Sequence, residues 1–337
     1  MSKQQSTVLK GIAILMMLCY HLFGSAELTE QCTPLLYIDG EPVARMLSMA
    51  CYPVSFFLIL SGYGLSFVCQ QGRLNAKAQL RRLLKLYIHY WLILLIFVTI
   101  GYFLRPDIYI IDLRHLAANI TGFNCTYNGE TWFLLPYAIL CLLAVWFVPL
   151  LLRIDNWLKV LLWTGIYAAV YVLMKWVILS TEIMGVCTLF LRLLWNLIVC
   201  FFYFVLGVVL YRLTARIGTH FRFIRNNWLT LLLLLLIMVV KSQFKVTLAD
   251  GFYAFAFIVL FLQLDVHPTV TNVLHLLGRH SMPMWMTHTF FAVYLFADFI
   301  YGFRYPPLIF VVLVIVCYVT AIPIMHIAAA IIRRSGL

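Results

Sequence analysis

An all-α, polytopic membrane protein of about ten helices is the fold this sequence predicts, and three observations predict it. The 337-residue chain is 64% hydrophobic and only 11% charged, against roughly half apolar and a quarter charged in soluble domains. Its apolar residues run on in stretches near the roughly 20 residues that cross a bilayer core as a helix. Those stretches lack the alternation of barrel strands, and backbone in lipid outside a closed barrel must be helical. With a mean hydropathy of +0.99, the sequence reads as one membrane domain over 1–337 with no soluble domain.

The expected spans are 8–24, 48–69, 84–104, 132–152, 157–178, 190–211, 227–243, 250–265, 281–301 and 307–332. The first follows Lys3 and carries Lys10 near its start. The third follows the basic stretch 73–85, and the fourth opens on Trp132, at the depth where an aromatic belt forms. The seventh holds the leucine run 231–236, and Lys241, Lys245 and Asp250 crowd its junction with the eighth. The ninth follows the loop 265–280 with His267, His275 and His280, and the last ends at Arg333 and Arg334. Segments 25–47 and 105–131 are the long outer loops, the second with two glycosylation sequons at Asn119 and Asn124.

With the N-terminus inside, sixteen of the 24 basic residues fall on the inner side or inner span ends. Excess Lys and Arg marks the cytoplasmic face, so both termini are expected there. The formal charge of +12 then reflects topology and contact with anionic lipid rather than nucleic acid. Among the nine cysteines, Cys32 and Cys125 lie in outer loops and can pair in an oxidising compartment. No CxxC or Cys/His spacing points to a metal site.

Lys10 and His21 are the costliest pair in the first span. Eleven helical steps place them on nearly one face, about 16 Å apart along the axis. Ionisable groups inside a membrane segment are functional candidates by default. A signal peptide would also begin with basic residues, but His21 interrupts the apolar run and many further apolar segments follow.

Further constellations carry weaker signals. Ser61-Gly62-Tyr63-Gly64 closes the second span, where small residues permit close helix packing or a local break. Arg81 and Arg82 stand at the start of the third span and suit either phosphates or anionic lipid. Glu130, beside Trp132, could interact with a substrate, but a solvated carboxylate is the expectation. Ser281, Trp285 and His288, spaced by four and three, share one helical face; they can line a polar cavity or serve a satisfied interhelical hydrogen bond. His89, Lys175 and His326 have no supporting pattern.

Taken in order, these segments resemble the acyltransferase family 3 membrane proteins. Lys10-Gly11-Ile12-Ala13 through Tyr20-His21 is similar to the family's first helix, which reads Arg-Gly-Ile-Ala and then Tyr-His. Phe56-Phe57 with Ser61-Gly62-Tyr63, the run from Arg81-Arg82 to Tyr90, Trp132-Phe133-Leu134, Tyr203 through Arg212, and Leu277-Gly278 with Ser281, Trp285 and His288 resemble later family segments. Lys10 stands in place of the usual Arg, Thr7 in place of a frequent Asp, and Ile88 in place of a common Pro.

The resemblance implies about ten membrane helices in a bacterial plasma membrane. It also implies transfer of an acyl group, usually acetyl, from cytoplasmic acyl-CoA to a hydroxyl of a cell-surface glycan. Acetyl-CoA would be a substrate, with no tightly bound cofactor. The expected partners are the bilayer, the acyl-CoA and the acceptor, and no nucleic acid. His21 would act as general base or transient acyl carrier. Lys10, Arg81 and Arg82 would hold the donor phosphates, and Ser61, Tyr63, Ser281 and His288 would line the pocket or donate to the oxyanion. Two other classes remain: a transporter using His21 and His288 for protons or solute, and a sensory domain without turnover.

Overall fold

The computed structural model describes residues 1–154, 157–180, 186–218, 223–244 and 246–337. Its elements run α1 (Lys3–Phe23), α2 (Ala26–Glu30), a two-stranded hairpin of β1 (Tyr37–Ile38) and β2 (Glu41–Pro42), α3 (Val43–Met49), α4 (Pro53–Gln70), α5 (Ala76–Leu104), α6 (Leu113–Thr121) and α7 (Leu134–Leu152). Then come α8 (Trp157–Ser180), α9 (Val186–Ile217), α10 (Asn227–Ser242), α11 (Thr247–Phe261), α12 (Pro268–Thr289), α13 (Ala297–Tyr301) and α14 (Pro306–Arg334). Among the described residues, six helices are long and apolar enough to cross a membrane, and segments Leu162–Ile178, Asn227–Ser242 and Leu248–Phe261 are shorter apolar helices. The chain is an all-α membrane protein. Of the basic residues in the orientation count, Arg222 and Lys245 lie outside the described residues.

Local chemistry sets the helix ends. Ser2 and Gln5 close a capping box at the start of α1, satisfying two N–H groups that the helix leaves free. Asn75 caps α5 and Asp112 caps α6 by accepting from backbone N–H groups. The backbone N–H and ring of His115 bond to Asp112 and hold its carboxyl below the usual range. Pro268 starts α12 at a position where a missing N–H costs nothing.

Two expectations need correction. The stretch 268–280, expected as part of a loop, is helical, and α12 ends at Thr289 instead of running to 301. Its His, Asn and Arg residues hid this half from a hydropathy reading. A wider turn follows at Phe290–Tyr294, where Leu295 N donates to the Phe290 carbonyl five residues back. Segment 105–131 also departs from a simple outer loop. Within it, α6 folds back along α5: Tyr87, Tyr90 and Trp91 donate to the carbonyls of Thr121, Asn119 and Ile120. Tyr87 lies seventeen residues before the end of α5, or about 25 Å at the helical rise. Gly122 turns the chain there at φ +76°, in the left-handed region that suits a residue without Cβ. The buried side chain of Asn119 knots the turn, donating to His115 O and Thr126 Oγ1 while accepting from Tyr127 N.

Two close helix crossings organise the core. A Cβ at Gly278 would stand 1.9 Å from the Thr7 carbonyl, and one at Gly207 would stand 2.1 Å from that of Ile59. Only glycine lets α1 meet α12, and α4 meet α9, at such range.

Candidate active site

The far end of α1, away from the N-terminus, meets the turn that precedes α7. There Glu130 Oε2 stands 3.3 Å from His21 Nε2. The Glu130 turn, Gly129–Thr131, is gripped mainly by α12 and the turn after it. Asn128 Nδ2 donates to Met286 O at 2.8 Å, and Thr289 Oγ1 donates to Asn128 Oδ1 at 2.9 Å. Gly129 N donates to Tyr294 Oη at 3.1 Å. Trp285 Nε1 donates to the Glu130 carbonyl at 3.1 Å, while its indole stacks on Phe133 with centroids 4.1 Å apart. Every polar backbone group used here is satisfied inside the bundle, as lipid requires.

His288 lies behind His21, fully buried, with ring centroids 4.9 Å apart. Its Nδ1–H donates to the Trp285 carbonyl at 2.6 Å, which leaves the lone pair on Nε2, an atom with no hydrogen-bond partner among the described residues. A cavity of about 310 Å³ opens in front of His21, walled by Tyr20, Tyr52, Glu130, Trp132 and Phe133. The arrangement is a half-buried imidazole backed by a second, fully buried imidazole and faced by a carboxylate. Such a set can accept a proton and stabilise the resulting cation.

At the N-terminal end, the groups expected to bind the donor gather differently. Arg82 Nη2 donates to Tyr137 Oη at 2.6 Å and to Ser61 Oγ at 3.4 Å. Ser61 donates in turn to Tyr137 at 3.1 Å. Lys10, half-buried on α1, lies within electrostatic reach of Arg82. Tyr63 Oη accepts from the Met1 nitrogen and from Thr214 Oγ1.

The structure therefore divides the sequence-derived candidates between two places. His21 and Trp132 line the cavity, with His288 packed behind His21 and Trp285 holding the Glu130 turn, while Lys10, Ser61, Arg82 and Tyr63 lie toward the N-terminal end of α1. Arg81 is exposed. Gly62 faces the Phe204 carbonyl of α9 at packing distance, and Ser281 donates back to Gly278 O within its own helix. Neither of those two lines the cavity. Glu130 corrects the expectation of a solvated carboxylate, since it is half-buried against His21. Tyr52, Asn128 and Tyr137 were not singled out from the sequence, and isolated polar residues in apolar surroundings gave no pattern to find them by. Cys32 and Cys125 are free thiols, each donating to a carbonyl of its own turn. No cluster of three His, Cys, Asp or Glu side chains with metal-binding geometry occurs among the described residues.

The Acyltransferase domain model of acyltransferase family 3 matches residues 5–326, nearly the whole chain. The chain belongs to acyltransferase family 3. No curated protein and no solved structure matches it. Family membership gives the cavity a chemical context, acyl transfer.

Proposed function

We propose that this acyltransferase moves an acetyl group from cytoplasmic acetyl-CoA to a hydroxyl of a cell-envelope glycan, with His21 as general base. One observation carries the proposal: His21, paired with Glu130 and backed by His288, faces a cavity at the opposite end of α1 from the Lys10–Arg82 cluster. In this reading the chain crosses the bilayer about ten times with both termini in the cytoplasm, as the excess of basic residues on that side supports. Lys10 and Arg82 attract the donor phosphates, and the pantetheine arm follows α1 to bring the thioester to His21.

The acceptor hydroxyl gives its proton to the His21 imidazole as its oxygen attacks the thioester carbonyl carbon. The C–S bond then breaks, and the departing CoA thiolate takes the proton from the imidazolium. Glu130 stabilises that imidazolium during the step. His21 acting as base contributes on the order of 10²–10⁴-fold to the rate.

The test uses membranes holding wild type or His21→Ala, labelled acetyl-CoA, and envelope polysaccharide of the source cells stripped of its O-acetyl groups by mild base. Label should enter the polysaccharide with wild type and fall by at least about 10²-fold with the variant. Equal, non-zero labelling by both would remove His21 from the chemistry. Absence of label above empty membranes would count against acetyl transfer to this acceptor.

A further inference from the structure

The cavity in front of His21 has a second ionic feature behind its wall. Lys241 Nζ, at the end of α10, stands 3.0 Å from Asp250 Oδ1 in the first turn of α11, with the two side chains only 6% and 7% exposed. A buried ion pair is costly to desolvate, and apolar side chains of similar volume commonly hold two helices together at least as well. A pair buried there raises the question of a further role, and the remaining ammonium donors point to one. Lys241 Nζ donates to Phe244 O at 3.0 Å and, at a long 3.5 Å, to Met49 O.

Met49 ends α3, and three residues later Tyr52 precedes α4 and walls the cavity. Ser55 Oγ donates to the Tyr52 carbonyl at 3.0 Å and fixes that side of the junction. Tyr52 meets Tyr20 edge to face at 6.1 Å, and Tyr20 meets His21 at 5.1 Å. Both tyrosines lie within electrostatic reach of Glu130 and of Asp250. The wall beside His21 thus carries two phenol hydroxyls near both carboxylates.

We propose that Lys241 and Asp250 are positioning residues for the acceptor: the pair anchors the α3–α4 junction so that Tyr52 presents its hydroxyl to a polyhydroxyl acceptor beside His21. The inference rests on the acyl-transfer reading above and deepens it by assigning the acceptor side of the same cavity. The ion pair itself touches no reacting atom. Its effect is confined to acceptor binding, because the donor groups Lys10 and Arg82 sit at the other end of α1.

The full-length protein in membranes provides the test, using Lys241→Met, Asp250→Asn, the double variant Lys241→Met/Asp250→Leu, and Tyr52→Phe. Acceptor KM is measured with the de-O-acetylated polysaccharide at saturating acetyl-CoA, and donor KM with the two roles exchanged. Thermal unfolding of the detergent-solubilised protein follows folding. Each single variant should raise acceptor KM by about tenfold and leave donor KM within about twofold, the pattern of lost ground-state binding. The double variant should unfold near the wild-type temperature yet keep the raised acceptor KM, which a merely structural pair would not do. An unchanged acceptor KM in the double variant, or a matching rise in donor KM, overturns the assignment.

A second measurement works without turnover. Cys51, buried beside Tyr52, should react with a maleimide at least about fivefold faster in Asp250→Asn, which breaks the pair but keeps the lysine near the thiol, than in wild type, read by peptide mass spectrometry. Equal rates overturn the anchoring role. Loss of wild-type turnover alongside faster Cys51 labelling would instead strike the acyl-transfer reading while leaving the anchor in place.

Discussion

Replacing Glu130 with glutamine keeps the shape of the side chain and removes the charge that faces His21. The carboxylate oxygen stands 3.3 Å from His21 Nε2, and the two side chains are 30% and 14% exposed. Unit charges at that separation attract by about 5 kcal/mol at an effective dielectric constant near 20. Solvent at Glu130 and the dipole that an amide retains remove roughly half of this, leaving about 2.5 kcal/mol for the imidazolium formed in the transition state. At about 1.36 kcal/mol per factor of ten, that is a fall of about 70-fold in kcat. The assay is the initial rate of acetyl transfer to de-O-acetylated polysaccharide, in membranes matched for folded protein. Donor KM should stay within about twofold, because the lost interaction is made mainly in the transition state. A Glu130→Gln enzyme within about threefold of wild-type kcat would refute the reasoning, since the electrostatic stabilisation would then be worth under about 0.7 kcal/mol.

Other substitutions separate the two ends of α1. Lys10→Ala removes a cation from the proposed donor end and should raise acetyl-CoA KM by about tenfold while leaving acceptor KM alone; titrating each substrate separately checks this. Tyr137→Phe deletes the hydroxyl that accepts from Arg82 at 2.6 Å and should raise donor KM by about three- to tenfold, in line with a hydrogen bond to a charged group. Trp285→Phe keeps an aromatic ring against Phe133 but loses the 3.1 Å hydrogen bond to the Glu130 carbonyl. About 1 kcal/mol is at stake, so kcat should fall about fivefold with donor KM unchanged. Gly278→Ala sets a methyl 1.9 Å from the Thr7 carbonyl and should destabilise by about 1–3 kcal/mol; a lowered unfolding temperature reads it out, with Gly64→Ala, which meets nothing within 4 Å, as the control.

Much of the frame was legible because the signals were periodic. The Lys10–His21 stripe follows from helical spacing alone, and Trp285 and His288 share a face for the same reason. Glu130 was illegible because a single acid beside an aromatic belt looks the same whether it faces water or an imidazole; only the grip of α12 and the turn after it sets it against His21. The start of α12 was hidden by polar residues that hydropathy counts as loop. The crowding of Lys241 and Asp250 was visible in the sequence, but their pairing depends on how the α10–α11 junction closes. Gly62 marked a genuine helix contact and Ser281 a buried position bonded within its own helix, and sequence spacing cannot tell a packing face from a pocket lining.

The two ends of α1 are coupled through one crossing. α12 lies against α1 at the Gly11–Gly278 contact, and its last turns and the wider turn after it hold the loop that carries Glu130. The same helix therefore sets the height of His21 against Glu130 and the slope of the whole Lys10–His21 stripe. Pro283 interrupts α12 between these two jobs, and a proline inside a helix removes one backbone hydrogen bond. Pro283 thus separates the part of α12 that makes the glycine crossing from the part that holds the Glu130 turn.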